Sequence, residues 1–153
     1  MKNSTSFTVI FPVIIIALSI LTACGVSEDE LIIRDNIKQM RNAVSEHQAD
    51  TFMNFVSSNY SSPFHRDKET LQKFVEYHLS TNRVIHTYIG DIDVEIEDNL
   101  AKVILYSGTT GGANQVPERG QLYKVGMHWL KTDGQWLLTQ AKWRPALVLN
   151  KNN

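Results

Sequence analysis

The chain has 153 residues, 15 basic against 16 acidic, and a formal net charge of −1 at pH 7. That balance lacks the strongly basic footprint of a nucleic-acid binder. Cys24 is the single cysteine, so no internal disulfide can form and the hydrophobic core must hold the fold unaided.

Lys2 supplies a short positive start, and residues 7–21 are almost wholly apolar. This is the plan of a secretory signal and not of a folded element. The apolar run of roughly 15 residues is short of the roughly 20 that span a bilayer. It ends in Leu21-Thr22-Ala23-Cys24, which resembles the lipobox of bacterial lipoproteins. The resemblance implies a diacylglyceryl group on the Cys24 thiol, cleavage before Cys24, and acylation (palmitate) of the new N-terminus. It makes the membrane a partner through the lipid anchor and places the domain in the cell envelope. Gly25 follows Cys24 where an inner-membrane retention signal would often be aspartate. If the source has two membranes, the outer one is favoured, with the domain facing the periplasm. Cleavage removes one charge, Lys2, and leaves about 130 residues, enough for one ordinary core. The expected division is a signal peptide over 1–23, a lipidated cysteine and short tether over 24–29, a domain over 30–147 and a tail over 148–153.

Ser27-Glu28-Asp29-Glu30 has the form of a capping box, and Ile33, Ile37, Met40 and Val44 follow at helical spacing. A second helix is predicted from Asp50, with Phe52, Met53, Phe55 and Val56 on its buried side. Residues 57–63 are loop chemistry. Asp67 can cap a third helix whose Leu71, Phe74, Val75, His78 and Leu79 form an apolar stripe, with His78 as a core histidine. The period then changes. Ile92, Val94 and Ile96 alternate with Asp93, Glu95 and Glu97, the pattern of a half-buried strand. Asp98-Asn99 reads as a turn and residues 101–106 as the next strand. Residues 108–120 hold four glycines and a proline and predict a mobile loop. Tyr123, Val125, Met127 and Trp129 alternate along a third strand. Asp133-Gly134 is a hairpin signal, and the last strand, 136–143, stops before Pro145. Three helices followed by a four-stranded antiparallel meander is an α+β plan with the helices on one face of the sheet.

That order resembles the nuclear transport factor 2-like superfamily of cone-shaped α+β domains. The carrying residues are Asp50-Thr51-Phe52 with Tyr60, Asn82-Arg83-Val84-Ile85-His86 and Gly90-Asp91-Ile92-Asp93-Val94, then 129–136 and the tail 141–146. The resemblance spans roughly residues 30–146 and implies N-terminal helices on a curved antiparallel sheet. The superfamily contains ketosteroid isomerase, scytalone dehydratase, polyketide cyclases, transport adaptors and secretion-system components, so fold alone does not choose a function.

A cone of this kind places a pocket between sheet and helices, and the candidate pocket residues are Tyr60, His86, Tyr88, Trp129 and Trp143. His86 and Tyr88 are two apart and share one face of a strand. The carboxylates Asp91, Asp93, Glu95, Glu97 and Asp98 suit a solvated face, and Asp50 suits a helix cap. No catalytic set can be mapped. His47, His65, His78, His86 and His128 show no close metal-ligand spacing, and no metal or cofactor is expected. The glycines of 108–120 are not a phosphate loop, because no Gly-Lys-Ser/Thr follows. The absence of an acid/base set favours a non-enzymatic domain binding a small apolar ligand or an envelope protein. The alternatives are an isomerase, dehydratase or cyclase, and a structural part of an envelope assembly or homodimer that uses the sheet face.

Overall fold

A computed structural model describes residues 25–82, 84–112 and 119–147. Cys24, the signal segment and the tail lie outside them, as does Arg83. The elements follow as α1 (Glu28–Ser45), α2 (Ala49–Met53), α3 (Lys68–Thr81), β1 (Val84–Glu97), β2 (Leu100–Gly112), β3 (Arg119–Thr132) and β4 (Gln135–Leu147). The strands pair as an antiparallel meander in the order β1-β2-β3-β4. Among the described residues, no helix is long and apolar enough to cross a membrane.

Each helix start has a local cause. Ser27 Oγ accepts the Glu30 N–H at 3.1 Å, half of the expected capping box. The Glu30 carboxylate completes no box; it binds Arg34 one turn on, at 2.6 Å. Asp67 and Thr70 form the full reciprocal box at α3. The second helix is only five residues long and begins at Ala49. The chain after it then runs beside β4: Leu138 N–H donates to the Phe55 carbonyl at 2.8 Å, and Ser57 N–H donates to the Leu138 carbonyl at 2.9 Å.

The sheet is longer than its alternation suggests. β1 starts at Val84, and residues 108–112 and 119–120, expected in a mobile loop, are ladder-paired strand ends. Cross-strand hydrogen bonds override the low strand propensity of glycine there. β4 continues through Pro145 to Leu147 because it is an edge strand, where a missing N–H removes no ladder bond.

Three register shifts bend the sheet, one of them between Leu122 and Tyr123, opposite the end of β4. In β1 the register shifts between Ile89 and Ile92, so Ile85 and Ile89 face the core before the shift and Ile92, Val94 and Ile96 after it. In β4 the partner of Trp129 is Leu138 and that of His128 is Gln140, leaving Thr139 as the extra residue. Trp136 and Trp143 are seven apart and would face opposite sides of a regular strand; the bulge brings both to the core side. The core joins Ile33, Ile37 and Met40 of α1 and Leu71, Val75 and Leu79 of α3 to Val103, Leu105, Trp129, Trp136 and Leu138 of the sheet. This α+β cone, with helices on one face of a curved four-stranded antiparallel sheet, is the architecture the sequence predicts.

Candidate functional site

The loop between α2 and α3 builds one wall of the site. Tyr60 sits where this loop follows β4, with Ser61 N–H donating to the Thr139 carbonyl at 3.0 Å. Ser62 then folds the chain back: its Oγ accepts the N–H groups of Phe64 at 3.3 Å and His65 at 3.0 Å. That turn presents the two rings side by side. The cap at Asp67 sets the phase of α3, so Leu71, Val75 and Leu79 point inward while Phe74 lies against His65 and His78, one turn on, packs against Phe74. Trp143 of β4 closes the group.

The ring geometry is tight. His65 lies 4.4 Å from Phe74 and 5.6 Å, near parallel, from Trp143, centroid to centroid. Phe64 is 4.8 Å from Trp143, and Phe74 is 4.3 Å from His78. Phe64 and His78 are exposed and Trp143 is half-buried, so the cluster runs from solvent to core.

Three buried polar atoms in the interior lack a hydrogen-bond partner among the described residues: Tyr60 Oη, His65 Nδ1 and Trp129 Nε1. Tyr60 is 2 % exposed, His65 8 % and Trp129 0 %, so these atoms are withdrawn from bulk water, where a polar atom left without a partner is costly. Burial pushes the Tyr60 hydroxyl above its ordinary pKa. Ser62 and the Ala141 backbone approach closely enough to offset part of that shift but do not meet the oxygen with hydrogen-bond geometry. Burial also lowers the His65 pKa, and the charge of His78 lowers it further, so the imidazole is neutral near pH 7. A phenol donor and a neutral imidazole in an aromatic wall can grip a flat apolar molecule bearing one polar atom.

Of the residues singled out in the sequence, Tyr60, Trp129 and Trp143 lie on the core side. His86 and Tyr88 do not join them. Both project from the outer face of β1, Tyr88 being 66 % exposed, because Ile85 and Ile89 hold the inward positions of that stretch. The expected stripe of α3 is corrected in the same way. Phe74 and His78 are exposed, so His78 is a surface histidine beside the cluster and not a core one. Phe64 carries no signal in the sequence and His65 stands there only among the histidines without metal-ligand spacing, because the Ser62 turn, formed in three dimensions, is what orients them. No group of metal-ligating side chains converges among the described residues. A shallow depression of about 440 Å³ lies elsewhere, near the turns at Asp98 and Asp133, where Glu95, Glu97, Leu100, Lys102 and His128 line it. It is separate from the aromatic cluster and brings no reactive set together.

No family model matches this chain, and no curated protein matches it in sequence. Solved structures match in fold. A provisionally named dehydratase of the nuclear transport factor 2-like (NTF2-like) family from Streptomyces avermitilis aligns with a TM-score of 0.71 at 14% identity, covering 78% of this chain and 97% of that one. A provisionally named scytalone dehydratase from Novosphingobium aromaticivorans aligns with a TM-score of 0.71 at 12% identity, covering 78% and 85%. Bd1075 of Bdellovibrio bacteriovorus aligns with a TM-score of 0.67 at 9% identity over 76% of this chain, which spans only 40% of that one. The chain therefore has the NTF2-like α+β cone fold.

Proposed function

We propose that the chain is a lipid-anchored envelope protein whose cone binds a small, largely apolar ligand, an aromatic ring with one polar substituent, without transforming it. The observation that carries this reading is the unpaired His65 Nδ1 buried beside Phe74 and Trp143, with the unpaired Tyr60 hydroxyl buried in the same α2–α3 loop. A bound ring would stack against Phe64 and Trp143, and its polar atom would satisfy Tyr60 or His65. The buried polar residues among those described are Ser57 and His65, so no buried carboxylate stands ready as a base. Anchoring rests on the Leu21-to-Cys24 segment and places the site at the membrane surface. Calorimetric titration of the detergent-solubilised full chain with 2-naphthol tests this reading. Saturable one-to-one binding is expected, weakened about tenfold or more by F64A or W143A. Absence of saturable binding overturns it.

A second reading, a dehydratase or isomerase, draws support from the neutral His65, which can accept a proton, and from Tyr60, which can donate one to a departing hydroxyl. Two of the structures similar to this chain carry provisional dehydratase names. Loss of water from a hydroxylated dihydronaphthalene probe, abolished in H65Q, would favour this reading over simple binding.

A further inference from the structure

The outer side of α1 carries apolar residues that the fold does not bury. Helical spacing turns Ile33, Ile37 and Met40 to the core. Leu31 falls on the opposite side, among the exposed polar residues Asp35, Lys38 and Asn42. It is 56 % exposed, Val26 just before the helix is 54 % exposed, and Ile32 is 38 % exposed. Val26 and Leu31 occupy the two positions of a hydrophobic staple around the Ser27 cap. A staple explains why the two are apolar together. It leaves both more than half exposed, and it does not involve Ile32.

We propose that Val26, Leu31 and Ile32 rest in the surface of the lipid bilayer that holds the Cys24 anchor, giving the domain a second, peripheral contact with the membrane. This rests on the anchoring proposed above. Four extended steps of about 3.5 Å and three helical rises of about 1.5 Å keep Leu31 within about 20 Å of Cys24. A tether that short makes the bilayer the surface these side chains meet at the highest effective concentration. Apolar faces of interfacial helices sink about 5–10 Å into the boundary of headgroups and acyl chains, and anchoring by two signals is stronger than by one.

The charges around the patch select the lipid. Asp29 is paired with Lys131 at 2.7 Å and Glu30 with Arg34 at 2.6 Å, which leaves Glu28 in the first turn. Asp29 also binds Trp136, and the Lys131 N–H donates to the Asn99 carbonyl at 2.8 Å. The start of α1 therefore shares one end of the domain with the β1–β2 and β3–β4 turns, and that end faces the bilayer. Asp98 and Asp133 in those turns make no ion pair among the described residues. A zwitterionic surface accepts this end; a strongly anionic one repels it.

Phosphatidylcholine vesicles carrying the lipidated chain test the proposal. The chain bears an environment-sensitive fluorophore at L31C, or at S45C for comparison, and mass spectrometry of its N-terminal peptide reads the acylation of Cys24. Lipids brominated near the top of the acyl chains should quench the L31C label by about half or more, while the S45C label, about 20 Å farther along α1, keeps its emission. V26S/I32S, shown to fold by circular dichroism, should reduce quenching of the L31C label about twofold or more with the anchor intact. With Cys24 acylated, an unquenched L31C label, equal quenching at the two positions, or quenching that V26S/I32S leaves unchanged would each overturn this proposal and leave the anchoring standing. A free Cys24 thiol would overturn the anchoring and this proposal with it.

Discussion

Asp29 Oδ1 accepts a hydrogen bond from Trp136 Nε1 at 2.8 Å, joining the first turn of α1 to the start of β4 across 107 positions of sequence. The same oxygen accepts from Lys131 Nζ at 2.7 Å. One carboxylate thus ties helix to hairpin and satisfies an indole that is 1 % exposed. Trp129, with its Nε1 unpaired, has no such counterpart among the described residues.

This pair should be visible in the pH dependence of stability. The hydrogen bond from Lys131, then that from Trp136, lowers the Asp29 pKa below its ordinary 3.8. A lowered carboxylate pKa means that the unfolded state takes up the proton first. The contribution is therefore complete above the ordinary carboxylate range and is lost as pH falls through the folded value. D29N should lower the urea midpoint at pH 7, and its gap from wild type should shrink as the solution is taken to about pH 3. A gap constant across that range would show that the charge on Asp29 contributes nothing.

Trp129→Ala should cost about 3–5 kcal/mol, the usual range for removing a fully buried large aromatic. Trp143→Ala should cost well under half as much, since Trp143 is only half-buried against Phe64, His65 and Phe74. Chemical denaturation of the two variants checks the order; a larger loss at Trp143 would place the core elsewhere.

His65 should titrate below the ordinary histidine value of 6.5, because burial and then the His78 charge oppose its protonation. H78Q should move the midpoint upward in the NMR titration of the ring protons. The sign for stability follows: the unfolded chain binds the proton more readily, so wild type loses stability as pH falls below about 6.5 toward the folded value. H65F should remove that part of the loss. An H78Q midpoint unchanged from wild type would mean that the two rings do not sense each other.

Cys24→Ser should abolish incorporation of labelled palmitate and leave the leader attached. Helix α1 begins at Glu28, so only Gly25, Val26 and Ser27 separate Cys24 from it, a tether on the order of 10 Å. Hydrogen exchange on the lipidated protein should therefore be slow from about Ile33 onward. Fast exchange throughout residues 27–37 would make that segment a flexible linker.

Features that depend on neighbours in sequence were legible from the chain alone. The Asp67 cap, the Asp133-Gly134 turn with both residues at positive φ, and the alternation of 92–96 are local matters of side-chain and backbone chemistry. They suffice for three helices followed by a meander, and so for the α+β cone.

Whatever required counting faces across a bulge was not legible. A bulge inserts one residue without any marker in the sequence, and every side chain beyond it changes sides. Thr139 is such an insertion, and it alone makes Trp136 and Trp143 neighbours of the same core. The outward turn of His86 and Tyr88, the strands running into the glycine-rich segment, and the meeting of His65 with Trp143 were likewise decided by pairing between distant segments. The sequence by itself determined the elements and their order, because caps, turns and periods act over a few residues. Only the tertiary structure decided which side chains share the interior, because that depends on register, and register is a property of two strands at once.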